Sequence, residues 1–300
     1  MSKFLPQGTL SLELQPDSAG KARTLTIPQG LTIRFTVTRK FSPGTQTANF
    51  RIYGLGEQDR EAIYKDVYDW TIFRGIQFRA GYQNFTPLIF NGTILQAYSE
   101  KEGITDTVTV IDAFDGGFPM TNGYIATSVP PGTRADQIIA AFGAKLPGVI
   151  SAPIVGSFPS VNLRTEVIVG NTWGVILDKA GGNATIDNGQ VKAVNPNEAV
   201  AGAEVPLISA DTGLIGVPRR SGAMVELDMV FEPRLNLLQT VDLQSRFNRQ
   251  FNGIHKIIQF EHRGAISTSH SVPNVTTGRF IWFPKSVVNP DLKGILLSNP

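Results

Sequence analysis

Between residues 31 and 38 the chain alternates without a break: Leu31, Ile33, Phe35 and Val37 fall on one face, Thr32, Arg34, Thr36 and Thr38 on the other. A period of two describes a strand covered on one side only. Phe50 and Ile52 continue the pattern after the Ser42-Pro43-Gly44 turn. The charged stretch at 57–65 offers Ala62 and Ile63 as a narrow apolar contact, which suits a short helix. Further strands are predicted near 74–82, 86–98 and 104–112. In the last of these Thr105, Thr107 and Thr109 alternate with Asp106, Val108 and Val110. Short strands at regular spacing suggest a barrel or sandwich.

The middle third changes period. Thr133 followed by Asp136 has the form of a capping box. Ala135, Ile138, Ile139, Phe142 and Leu146 then recur at helical spacing, predicting an amphipathic helix over 134–146 that Pro147-Gly148 stops. Asn171 is placed to cap a second helix carrying Trp173, Ile176, Leu177 and Ala180 on one stripe, ended by Gly181-Gly182. Asn188-Gly189, between two short extended runs, marks a hairpin.

From 205 onward β patterning returns. Val225, Leu227 and Met229 alternate with Glu226 and Asp228, and Ile254, Ile258 and Phe260 lie opposite His255, Gln259 and Glu261. The aromatic run at 279–283 predicts a closing strand. The expected architecture is mainly β with an α+β insert: one β-barrel domain over 1–118, the insert over 119–204, a second β-barrel domain over 205–285 and a tail over 286–300.

Composition narrows the function more than it names one. With 300 residues, 41% of them hydrophobic, the chain can bury a full core or two. The formal net charge is +2 and basic residues are scattered, Arg219-Arg220 being the nearest thing to a cluster. That is not the focused basic face of a phosphate-binding protein. There is no cysteine, which removes disulfides, thiol catalysis and cysteine-ligated metals. The first residues hold no apolar run of signal-peptide length, and no stretch reaches the roughly 20 residues of a spanning helix, so synthesis in a cytosol and no membrane insertion are expected.

Candidate chemistry is thin. His255 and His262 stand seven apart, hence on opposite strand faces unless a bulge intervenes, and His270 lies further on; no metal site follows. Gly54-Leu55-Gly56 begins a dinucleotide-like motif, but Asp59 stands where the third glycine belongs. There is no nucleophile elbow and no Walker loop. A cell-wall hydrolase would need a carboxylate couple, and Asp112 with Asp115 or Glu100 with Glu102 are the pairs available. Of the three tryptophans, Trp173 sits on an apolar helical stripe and Trp282 in an aromatic strand. Trp70 is left as a contact residue for a carbohydrate-binding or adhesin module.

Two glycine-punctuated segments remain: Asp115-Gly116-Gly117 at a strand end, and Thr212-Gly213-Leu214-Ile215-Gly216-Val217-Pro218, where the proline is expected to end β pairing. In this order they resemble the baseplate hub (tube-adaptor) proteins of contractile-tailed bacteriophages. The resemblance extends over 49–117, through Phe50-Arg51-Ile52-Tyr53-Gly54-Leu55, Gln77-Phe78-Arg79-Ala80-Gly81-Tyr82, Leu88-Ile89-Phe90-Asn91-Gly92 and the Asp115-Gly116 end. It continues through 212–218, the 222–229 strand, Gly253-Ile254-His255-Lys256-Ile257-Ile258 and Gly264, with Ala265 departing from the family's usual Asp.

The resemblance implies a homotrimer in which each subunit carries two barrels of the tail-tube fold. Its ring would join a hexameric tail tube protein to a trimeric central spike protein, beside other baseplate and tape-measure proteins, in the virion tail. DNA would only pass through the lumen, and neither cofactor nor catalysis is implied. Asp115, Gly116, Thr212, Gly213, Gly216 and Pro218 then become candidate structural or interface positions. The polar faces with Thr105, Thr107 and Thr109, or His255, Gln259 and Glu261, become candidate lumen walls, an outer solvated face explaining the same alternation.

Overall fold

A computed structural model describes residues 6–14, 23–28, 30–69, 73–82, 85–104, 106–202, 204–267, 273–282, 286–288 and 296–298. The first β unit comprises β1 (Pro6–Leu14), β2 (Arg23–Thr26), β3 (Ile33–Lys40), β4 (Gln46–Tyr53), helix α1 (Glu57–Ile63), β5 (Gly75–Tyr82), β6 (Leu88–Glu102) and β7 (Asp106–Asp115). The insert follows with α2 (Gly117–Asn122), β8 (Tyr124–Val129), α3 (Ala135–Gly143), β9 (Ile154–Val155), β10 (Glu166–Asn171), α4 (Thr172–Lys179), β11 (Ala184–Asp187) and β12 (Gln190–Ala193). Then come β13 (Glu198–Val200), β14 (Leu207–Ser209), β15 (Leu214–Ser221), β16 (Met224–Val230), β17 (Thr240–Gln244), β18 (Gly253–Ile266), β19 (Val275–Trp282), β20 (Ser286–Val288) and β21 (Leu296–Ser298).

Both β units belong to one large, mostly antiparallel sheet, in the order β15-β16-β19-β18-β3-β4-β7-β6-β5-β1-β2, with β17 on the first part of β18 and β14 on β17. Among the described residues no ladder closes this path into a barrel. The sheet nevertheless curls: Phe35 on β3 packs against Phe78 on β5, ring centroids 4.9 Å apart, and Phe50 on β4 meets the same ring at 5.1 Å. The alternation at 31–38 therefore has the expected consequence, since Ile33, Phe35 and Val37 enter a core shared with Phe50, Phe78 and Phe90. Truncating one such phenylalanine to alanine costs about 3–5 kcal/mol.

A second buried cluster belongs to the insert, around Ile138, Ile139, Phe142, Trp173, Ile176, Ile186 and Val191. A third, around Leu227, Met229, Leu237, Val241, Ile257, Phe260 and Phe280, underlies the second half of the sheet. Among the described residues, no helix is long and apolar enough to cross a membrane.

Local signals resolve in detail. Asn171 caps α4, its Oδ1 accepting from the Gly174 N–H at 2.9 Å, and Gly181 and Gly182 end the helix at φ 58° and 79°. Asn188 and Gly189, at φ 53° and 69°, make the positive-φ turn joining β11 to β12. At α3 the expected cap is different: Thr133 donates back to Pro130 O at 2.9 Å, and Gln137 Oε1 accepts from the Arg134 N–H at 3.2 Å.

Two strand readings are corrected. Thr107 and Thr109 do not lie on a polar face, because Thr109 pairs with Ile52 and Ser99 and is buried; Thr105 lies outside the described residues. In β18, Ile258 is an extra residue in the ladder to β19. This bulge reverses the alternation, so His255 and Ile257 before it share the covered side with Phe260 and His262 after it.

Candidate assembly surfaces

β7 ends at Asp115, and Gly116 turns the chain into α2 with a left-handed φ of 81°. A Cβ at Gly116 would lie 2.9 Å from Met120 Cε and 3.1 Å from Ile186 Cβ, so glycine answers a backbone demand and a packing demand together. Asp115 is 4% exposed, and its two carboxylate oxygens each accept from the Gly189 N–H at 3.3 Å. From β6, the Asn91 N–H donates to Asn188 Oδ1 at 3.0 Å. The Asn188-Gly189 turn of the insert is thus held by the edge-to-edge ends of two sheet strands.

Beside it lies a buried ionic network. Arg39 Nε donates to Asp187 Oδ1 at 2.6 Å and its Nη2 to Oδ2, while Lys192 Nζ donates to Oδ2 at 2.6 Å. Gln46 Nε2 reaches Thr185 Oγ1 at 2.9 Å. The Arg39 guanidinium also stacks over Phe260 of β18, 5.1 Å from the ring centroid. Burial alone would push Asp187 up, but Arg39 and then Lys192 outweigh it and hold this carboxyl at about 2. Asp115 goes the other way: burial, then the neighbouring Asp187 charge, push it up to about 7. Nothing in the sequence announces Arg39 with Asp187, which stand 148 positions apart.

The 212–218 segment lies elsewhere, six places from β7 in the strand order. Thr212 Oγ1 accepts from the Ser209 N–H at 2.8 Å and donates to Leu207 O at 2.7 Å, fixing the turn in which Gly213 takes φ 113°. Gly216, at φ 69°, sits in a bulge of β15 between Ile215 and Arg219, and a Cβ there would meet nothing within 4 Å. Pro218 does not end pairing as expected. It occupies the bulge, buried, its carbonyl accepting from Asn248 Nδ2 at 2.8 Å, and the ladder resumes at Arg219 opposite Glu226. β15 pairs only with β16 among the described residues, and Ile215 and Val217 are 44% and 45% exposed.

Between these two segments one face of the sheet is largely polar across both units, with Val275 on β19 and Val110 and Phe114 on β7 as apolar interruptions. Register places Asp228, Thr277, Glu261, Thr38 and Thr47 in one cross-strand row, and Arg263, Thr36, Asn49, Asp112 and Gln96 in another. Thr277 Oγ1 donates to Asp228 Oδ1 at 2.7 Å, Thr38 Oγ1 to Glu261 Oε2 at 3.0 Å, and Asn49 and Gln96 both donate to Asp112, at 2.7 and 2.6 Å. The cations are matched too: Arg51 Nη2 donates to Glu100 at 2.7 Å, and Arg219 and Arg279 both donate to Glu226, at 2.6 and 2.9 Å.

The family model described as Baseplate hub gp41 matches residues 14–278. The chain belongs to that family. As a baseplate hub family protein it shares its fold with solved phage-tail structures. The tail protein from Neisseria meningitidis MC58 matches at TM-score 0.58 and 10% identity, over 94% of this chain and 99% of that one. The prophage MuSo2 43 kDa tail protein from Shewanella oneidensis matches at 0.56 and 9%, over 92% and 97%. The E. coli c3393 protein, described as a component of the type VI secretion system, matches at 0.50 and 8%, over 85% and 74%. No curated protein sequence matches this hub-family chain.

The enzymatic candidates do not assemble. Asp112 and Asp115 stand on opposite faces of β7, Asp112 receiving Asn49 and Gln96 while Asp115 is sealed under the insert. Glu100 and Glu102 both receive Arg51 in solvent, and a hydrogen bond from Tyr53, then Arg51, draws Glu102 below the usual carboxylate range. A general acid needs the opposite shift. His255 and His262 are buried; His262 bonds Thr276 Oγ1 at 2.8 Å, and burial, then Arg39, lowers it to about 3. Among the described residues, no group of three or more metal-ligating side chains converges. Trp173 is core; Trp70 and His270 lie outside the described residues.

Proposed function

We propose that the chain is a non-enzymatic structural baseplate hub of a contractile phage tail, a homotrimer whose ring adapts a hexameric tail tube to a trimeric central spike and forms part of the DNA channel. In this reading 1–118 and 205–285 are the two tail-tube-like β-barrel units, 119–204 is the α+β insert and 286–300 a tail, and three copies supply six β units to match the tube. The observation that carries the reading is the set of polar cross-strand rows running from β16 through β19, β18, β3 and β4 toward β7, their charges paired with one another. Val275 on β19 and Val110 and Phe114 on β7 interrupt these rows. A lumen wall of that kind is wet but offers few unpaired cations, so a phosphate backbone slides past it without being held.

The partners are the tube protein, the spike protein, neighbouring baseplate and tape-measure proteins, and two further copies of the chain. Localisation is the virion tail, after synthesis in the host cytoplasm. The exposed β15 edge, with Thr212, Gly213, Gly216 and Pro218 shaping it, is the direct contact with a neighbouring copy. Pairing an edge across subunits also removes an aggregation hazard. Asp115 and Gly116 serve assembly indirectly by holding the insert in place. Light scattering at roughly tens of micromolar protein, a range set by typical subunit affinities, is expected to give the mass of a trimer. A monomer there, or an averaged image of the tail tip with the Glu261 and Arg263 rows facing outward, overturns the proposal.

A further inference from the structure

The junction beneath Gly116 contains four charged side chains but distributes its bonds unequally. Of the two carboxyl groups only Asp187 receives cation-donated hydrogen bonds, two from Arg39 and one from Lys192. Asp115 receives backbone N–H groups and no cation: Gly189 at the long distance of 3.3 Å to each oxygen, with Asn188 beside it. The groups facing it are Asp187 and Lys192 from the insert hairpin, Arg39 from β3 and Gln46 from β4, its register partner. His262 of β18, on the far side of Arg39, is buried and lacks a charge near neutral pH. The hairpin is what removes water from Asp115 and what brings the Asp187 charge beside it.

We propose that a proton on Asp115 clasps the insert to the sheet: the β11–β12 hairpin docks tightly when this carboxyl is neutral and loosens when it ionises. Undocking would return Asp115 to solvent at the end of β7, where a carboxyl ionises near its ordinary 3.8, whereas docked it does so at about 7. A group whose value is raised by docking takes up a proton as docking occurs. Its contribution is fully present below about pH 4, declines about tenfold in docking constant for each pH unit above that, and is gone above about pH 7. Asp187 titrates at about 2 and so stays ionised across this window. The buried histidines act with the opposite sign, because their lowered values make the folded state more stable as pH rises. The direction of the effect therefore separates them.

The proposal concerns one chain's internal junction and does not rest on the assembly reading. Hydrogen exchange of the full-length protein between pH 5 and 8, corrected for the intrinsic pH dependence, tests it. Amides of Ile186, Gly189 and Val191 are expected to lose protection about tenfold per pH unit up to about pH 7, while those of Ala48 and Phe50 in β4 stay level. In Asp115→Asn the hairpin slope should vanish with protection retained, because the amide oxygen still accepts from Gly189. A wild-type hairpin insensitive to pH, one better protected at pH 8, or the same slope in Asp115→Asn overturns the clasp. Carbon-13 NMR of the wild-type Asp115 carboxyl provides the check that needs no variant. A midpoint near 7 supports the proposal and one near 4 refutes it.

Discussion

Asp115-Gly116 and the 212–218 segment look alike as sequence, each a short glycine-bearing stretch at a strand boundary, yet they occupy opposite physical regimes. Gly116 is surrounded: its left-handed φ is imposed where Ile186 and Met120 leave no room for a side chain. Gly216 has the same sign of φ with open space around it. One glycine is required by the backbone and the core, the other by the backbone alone. The difference is that a buried turn determines where a whole module sits, whereas an exposed bulge only shapes an edge.

The sharpest way to break the buried member of the pair is to remove its anion. Asp187→Asn leaves Arg39 and Lys192 buried without the carboxylate they hydrogen-bond, and urea unfolding at pH 7 should register a loss of about 3–5 kcal/mol. The pH sign is set by the depressed value. Stabilisation from Asp187 is present above its ordinary 3.8 and is lost as pH falls through about 2, so wild type and variant should converge in acid. Equal stability at pH 7 would mean that the network does not hold the insert. Next in size is Gly116→Val. The side chain combines roughly 1–2 kcal/mol of left-handed strain with overpacking against Ile186, for a total near 3 kcal/mol by chemical denaturation.

How much of this was legible beforehand follows the range of the interaction. Asn171 and Asn188-Gly189 act on neighbours within three residues, and their cap and turn are where the pattern places them. Ile33, Phe35 and Val37 alternate because one local face meets a core. Thr133 does not cap α3, because its hydroxyl turns back to Pro130 while Gln137 accepts from the Arg134 N–H and the first helical N–H groups donate to the Ser160 and Phe158 carbonyls. What could not be read is long-range or cumulative. Ile258 shifts the ladder by one residue and so exchanges the faces of β18, a choice made by its pairing with β19. Arg39 meets Asp187 only because the hairpin lands on β3, and the two β units become one sheet only because the second half of β18 pairs with β3. Of the candidate site, local backbone demands at Gly116, Gly213 and Gly216 were visible; which of them is buried was not.

The exposed member of the pair predicts smaller folding effects and larger assembly effects. Gly216→Val should cost roughly 1–2 kcal/mol, all of it backbone strain, and should reduce the trimer fraction seen by light scattering. Gly216→Asn, which tolerates that conformation, should recover much of both. An unchanged trimer in the valine variant removes the bulge from the proposed contact.

Smallest in stability is Val217→Lys. Val217 is half exposed on a strand with one partner, so folding should change by no more than about 0.5 kcal/mol. A lysine on an edge strand opposes further pairing, because extending the sheet would bury its ammonium. If β15 meets a neighbouring copy, this variant should stay folded and remain monomeric. If it assembles as well as wild type, the copies meet somewhere other than this edge, and the comparison reduces to a buried turn against a solvated one.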